Sequence, residues 1–134
     1  MQVQVNYLAV VVAALVNFLL ATLWYTVLFG KAWKKLTGIS EMKPKGSNIV
    51  LAFIGSFLLS YVLYHSLVFG DYYTHMSGVS GGLMGGFFDW LGFIAPVTLM
   101  LVLYEKRSWK LWLLDNGFWL VSLLVMGAML SAWQ

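Results

Sequence analysis

The sequence predicts an all-α membrane protein of four transmembrane helices, with short connections and both termini on the outer side. Three observations carry that prediction. The 134 residues are 61% hydrophobic and only 10% charged, with a mean hydropathy of +0.83. Four apolar stretches are each long enough to cross a bilayer, and all eight Lys and Arg fall at two of the borders between them. Soluble domains carry about 25% charged residues. These residues cannot build a polar surface, which excludes a soluble enzyme or a nucleic-acid-binding domain. The net charge of +3 is no nucleic-acid signal, because the basic residues stand at membrane borders and no nucleic-acid partner is expected. The absence of Cys excludes disulfides and thiolate metal sites and says nothing about compartment.

A spanning helix needs about 20 apolar residues to cross about 30 Å of hydrocarbon. The first candidate runs over about 6–29, and no charge precedes Lys31. Its apolar run is longer than that of a signal peptide and lacks a basic leader, so it is expected to remain as a helix. The second, 48–69, contains no Asp, Glu, Lys or Arg, and the third, 78–104, is interrupted only by Asp89. The fourth, 109–133, carries Lys110 at its edge and Asp115 further in. None has a broad polar face at 3.6-residue spacing, so a soluble bundle is not expected. Residues 31–47 form the longest connection, with Gly38, Pro44 and Gly46 as breakers; 70–77 reads as a polar hairpin and 105–108 as a tight one. The chain is one four-helix domain over 1–134.

Orientation follows from charge. Lys31, Lys34, Lys35, Lys43 and Lys45 lie in the first connection, and Lys106, Arg107 and Lys110 at the third border. By the positive-inside rule these two borders are cytoplasmic. The eight-to-zero bias also argues that any self-association is parallel. Trp24, Tyr25, Trp33, Tyr104, Trp109 and Trp112 fall near the inner border, with Tyr7, Tyr72, Tyr73 and Trp133 near the outer one, where amphipathic rings settle. An impermeant thiol reagent applied to intact cells should label Thr74→Cys and spare Ser40→Cys. The opposite pattern would invert the topology.

Asp89 is the sharpest chemical feature. It lies near the middle of the third span, where a carboxylate costs about 2.5–3.5 kcal/mol, so it should face the protein interior, neutral and hydrogen-bonded. Asn17, at matching depth in the first span, is the expected partner, with a Ser or Thr of an adjacent helix as the alternative. A proton- or cation-binding role and plain packing are both open for Asp89. Gly81, Gly82, Gly85, Gly86 and Gly92 read as helix-packing residues, because small residues four apart let backbones approach closely. Asp115 and Asn116 are shallower. Asp115 reads as half of an interfacial ion pair with snorkelling Lys31 or Lys110, or, with Asn116 beside it, as the lining of a cytoplasmic vestibule with Trp24 and Tyr25. His65, four residues after Tyr61, lacks a second His at matching depth, so no haem is expected. No nucleophile–base pair, metal motif or phosphate loop is present, so neither enzymatic activity nor a cofactor is expected.

Several segments resemble a widespread bacterial family of small four-helix membrane proteins known as a domain of unknown function. They are Asn6-Tyr7-Leu8-Ala9-Val10, Leu23-Trp24-Tyr25 and Leu28-Phe29-Gly30-Lys31-Ala32-Trp33, then Trp90-Leu91-Gly92-Phe93, Asn116-Gly117-Phe118, Leu120-Val121 and Met126-Gly127-Ala128. The resemblance implies the four-helix fold and a multi-pass place in the bacterial inner membrane, and it supplies no activity. Two classes of function follow. One is an oligomeric channel or carrier for a small solute or ion, with an intramembrane polar site at Asn17, Asp89, Asp115 and Asn116. The other is an accessory subunit of a larger membrane complex, docked through the Gly face of the third helix.

Overall fold

The computed structural model describes residues 2–40 and 43–134, so Met1 and, in the first connection, Glu41 and Met42 lie outside the described residues. The chain is helical throughout, in the order α1 (Tyr7–Leu23), a π-helical turn (Trp24–Leu28), α2 (Gly30–Thr37), α3 (Gly46–Thr74), α4 (Gly78–Asp89), a second π turn (Trp90–Ile94), α5 (Ala95–Glu105) and α6 (Trp109–Ala132). Four of these runs are long and apolar enough to span a membrane: Tyr7–Leu28, Gly46–Thr74, Gly78–Glu105 and Trp109–Ala132.

The ends of these helices have local causes. Asn6 caps α1 by accepting the Ala9 N–H at 3.1 Å, and its amide donates to the Trp133 carbonyl at 2.9 Å. That bond joins the two ends of the chain, so the termini share one side of the bundle. The Ser108 side chain accepts the Lys110 N–H at 3.2 Å and starts α6. Gly38 (φ 74°), His75 (φ 57°) and Lys106 (φ 54°) stop α2, α3 and α5 in the left-handed conformation that ends helices.

Two connections differ from the sequence expectation. Residues 30–37 form α2, whose Trp33 and Leu36 turn toward the protein while Lys31, Lys34 and Lys35 stay exposed. That division suits a helix lying in the headgroup layer. The second helix runs on to Thr74, so most of the expected 70–77 hairpin is helix. Beyond the hydrocarbon, water can satisfy the backbone of an extra turn, and no Pro stops it before His75.

The core sits toward the terminal end of the bundle, built from Ala9, Val10, Ala13, Leu63, Tyr64, Leu67, Leu123, Met126 and Leu130. The closest helix pair is α4 with α6, while α1 packs on α3 and α6. A Cβ on Gly82 would stand 2.0 Å from the Gly127 carbonyl oxygen, and one on Gly86 would stand 2.4 Å from that of Leu123. These two glycines bring backbone against backbone, as small residues do in membrane interfaces. Gly85 meets only the tip of Leu67, and Gly81 meets the Met76 carbonyl.

Two expectations are corrected by this packing. The Gly face is filled from within the chain, so it is not a free docking surface. Gly92 does not pack at all, since a Cβ there would meet nothing within 4 Å. The cause is the second π turn. Pro96 has no N–H and its ring crowds the carbonyl four residues back, which is that of Gly92. The helix accommodates this by taking in one extra residue, closed by the Ala95 N–H on the Trp90 carbonyl. One residue rotates the following face by about 100°. Trp90 opens this turn, and its Nε1 is the one buried side-chain nitrogen or oxygen without a hydrogen-bond partner among the described residues.

Beyond the π turn α5 diverges, and its principal contact outside its own span is with α6. The basic half of the bundle is therefore looser than the terminal half, and a cleft opens there. Most large apolar side chains on the remaining surfaces, such as Leu8, Leu19, Val27, Leu51 and Phe93, face outward, as contact with lipid requires.

Candidate functional site

Asn17 is buried at the centre of the bundle, but its partner is not Asp89. Its Nδ2 donates to Ser56 Oγ on α3 at 2.7 Å, and its Oδ1 accepts the Ser122 hydroxyl on α6. One helical turn toward the terminal end, Ser60 Oγ donates to the Val10 carbonyl at 2.8 Å. The amide thus ties three helices together with both of its ends engaged. Ser56 and Ser60 share a face with Leu63 and Leu67, at spacings of 4, 3 and 4 residues, and all four are buried. That small-polar periodicity in the second span was the signal that could have identified Asn17's partner.

Asp89 is half-buried on a different face, beside Ser66 of α3, with which it lines two cavities. The alternative of a Ser on an adjacent helix is therefore the one observed. Depth alone suggested Asn17, whereas the rotation of α4, set by Gly82 and Gly86 against α6, turns Asp89 toward α3. His65 is engaged locally, its Nδ1 2.9 Å from the Tyr61 carbonyl oxygen.

Asp115 and Asn116 come together with the aromatic residues of the basic end. The first π turn, closed by the Phe29 N–H on the Trp24 carbonyl at 2.8 Å, presents both Trp24 and Tyr25 to α6. Tyr25 donates its phenolic proton to Asp115 Oδ1 at 2.6 Å, and Trp24 Nε1 donates to the Leu114 carbonyl at 3.2 Å. Next to them, buried Asn116 donates to Thr98 Oγ1 on α5 at 3.0 Å and to the Trp112 carbonyl at 3.1 Å, while Trp112 Nε1 donates to Thr98 at 3.1 Å. The ion pair expected for Asp115 is not formed: among the described residues its side-chain partner is Tyr25, and Lys31 and Lys110 are exposed. Arg107 lines a cavity with Asp115 but pairs instead with Glu105 at 3.2 Å. Tyr25 therefore stands beside Asp115 as the vestibule alternative expected, and Trp112 is a site residue beyond the interfacial anchoring expected of it. Tyr7, Tyr72, Tyr73, Tyr104 and Trp109 are exposed, as that anchoring role requires.

The three polar regions border a series of adjoining cavities. At the basic end, a cavity of about 330 Å³ is lined by Tyr25, Trp33, Asp115 and Trp119. Tyr25 and Trp119 also border the central cleft of about 490 Å³, which reaches Asn17 and Ser56. Leu59 and Ile94 are shared between that cleft and a cavity of about 170 Å³ containing Ser66 and Asp89. Ser66 and Asp89 are shared in turn with a cavity of about 230 Å³ that extends to Asp71 and Thr74 at the terminal end. All three Asp of the chain therefore stand along this series. Among the described residues no three His, Asp or Glu side chains converge, so the acids are spaced along the series rather than clustered.

Comparison with known proteins yields one finding. The model of a family described as a protein of unknown function matches residues 8–131, and no curated protein and no solved structure matches.

Proposed function

The chain belongs to the family described as Protein of unknown function (DUF1761), which names no activity, and we propose from the geometry that it carries a small cation across the membrane. The observation that supports this is the alignment of Asp115, Asp89 and Asp71 along adjoining cavities from the basic end to the terminal end. An acid inside a bilayer is costly and is retained mostly where it binds or relays an ion. Asp89 and Asp115 are two such acids, and Asp71 stands at the terminal mouth of the same cavity series; with serine hydroxyls between them, the three form successive resting places for positive charge. Asn17 is a brace in this scheme, since both ends of its amide are engaged. Asp89 is the central station, because cavities adjoin it on both sides.

The test is cation flux into vesicles reconstituted with the protein, followed with H⁺, Na⁺, K⁺ and tetraethylammonium gradients. Wild-type protein should dissipate at least one of these gradients. Asp89→Asn should keep its melting temperature and lose that flux by about tenfold or more, because an amide holds the shape but cannot carry or exchange a charge. Wild-type flux no faster than that of empty vesicles for all four cations would overturn the proposal, as would full flux in Asp89→Asn.

A further inference from the structure

The cavity at the basic end has a chemistry of its own. Three of its four lining residues are aromatic and the fourth is Asp115. The rings of Tyr25 and Trp33 meet edge to face, with centroids 6.3 Å apart and planes at 76°, so they form two walls at nearly a right angle. Trp119 supplies a third wall. Trp33 and Trp119 are half-buried. Asp115 accepts the Tyr25 phenol at one carboxyl oxygen only.

These features select among ligands. Ring faces carry negative potential and attract cations, as a carboxylate does, so the lining disfavours anions. Among the described residues no Lys or Arg borders the cavity. Arg107 lines the neighbouring cavity on the other side of Asp115, held by Glu105, and the lysines of α2 are exposed. A hydrated metal ion is poorly matched, because hard cations require several oxygen ligands and the walls offer hydrocarbon. A weakly hydrated cation with apolar substituents is well matched: its alkyl groups lie against the rings and its charge rests beside the carboxyl. We propose that Tyr25, Trp33, Trp119 and Asp115 form a binding site for an organic ammonium ion. This deepens the cation-carrier reading by naming a substrate class, and it rests on that reading only for what happens after binding.

The test uses purified full-length protein in phosphatidylcholine nanodiscs, titrated with tetraethylammonium chloride and followed by calorimetry and tryptophan fluorescence, with sodium chloride as the control. Saturable binding of tetraethylammonium is expected, with none for sodium. Trp33→Ala and Asp115→Asn should each weaken it about tenfold or more, whereas Trp33→Phe should retain most of it and Trp109→Ala, an exposed ring at the same end, all of it. A thermal melt verifies that each variant is folded; Trp33 lies on the short surface helix outside the core, and Asp115→Asn can still accept the Tyr25 hydrogen bond. No saturable binding by wild type, or undiminished binding in folded Trp33→Ala and Asp115→Asn, overturns the site. Binding without flux would refute the carrier reading and leave the site standing. Flux of another cation without tetraethylammonium binding would do the reverse.

Discussion

A single methyl group placed on Gly82 should force α4 away from α6. In Gly82→Ala the new Cβ meets the Gly127 carbonyl oxygen at 2.0 Å, its carbon at 2.5 Å and the Ala128 Cα at 2.9 Å. All of these are backbone atoms of a packed helix, which cannot rotate out of the way as a side chain can. Overpacking costs about 1–3 kcal/mol and occasionally more, and the absence of any flexible neighbour puts Gly82→Ala at about 3 kcal/mol. Gly86→Ala, facing the Leu123 carbonyl at 2.4 Å, should behave alike. Gly85→Ala meets only the Leu67 methyl tip and should cost about 1 kcal/mol or less. Gly92→Ala meets nothing and should be neutral or slightly stabilising, since Gly inside a helix costs roughly 0.5–1 kcal/mol relative to Ala. Denaturation of the four variants in detergent micelles orders them. If Gly82→Ala melts with Gly92→Ala, the α4–α6 contact is not the close one described.

The second large effect concerns the buried amide. Asn17→Leu removes the acceptor of Ser122 and the donor to Ser56, leaving two buried hydroxyls without their interhelical partner. Interhelical hydrogen bonds in membrane proteins are worth about 0.6 kcal/mol on average and up to about 1.7, because hydroxyls find substitutes. Ser122 already lies 3.5 Å from the Met126 sulfur. The expected loss is therefore about 1–2 kcal/mol. Replacing all three partners, Asn17→Leu with Ser56→Ala and Ser122→Ala, should recover part of it, since an unmade bond is costly chiefly when a polar partner stays behind. The measurement is unfolding free energy in micelles for the single and triple variants. Wild-type stability in Asn17→Leu alone would mean that the three-helix tie contributes nothing.

Legibility differed between spans and site for reasons visible in particular residues. Helix boundaries were readable because apolar length is a local property, and the third span begins at Gly78 and ends at Glu105 much as its composition implies. Gly82 and Gly86 were readable as close-contact residues, but not which helix they would meet. Asp115 and Asn116 were readable as polar and shallow, yet the phenol that Asp115 accepts comes from Tyr25, 90 residues away in the chain. No spacing rule connects two such residues.

The sequence by itself determined that four helices of this chain can cross a bilayer, where each begins and ends to within about two residues except at the far end of the second, and that its basic residues gather at one end. Each of these depends on the sum of side-chain hydrophobicity over about 20 neighbouring residues, which folding does not alter. Only the tertiary structure decided which side of each helix meets protein and which meets lipid. In water that choice is written as an apolar stripe against a polar face. In a membrane both surroundings are apolar, so the stripe disappears and the rotation of each helix is set by backbone contacts such as Gly82 on Gly127. The two π turns then shift the phase again within the first and third spans. Together these rotations turned Asp89 to Ser66 instead of Asn17 and Gly92 out of the packing, and set Tyr25 against Asp115.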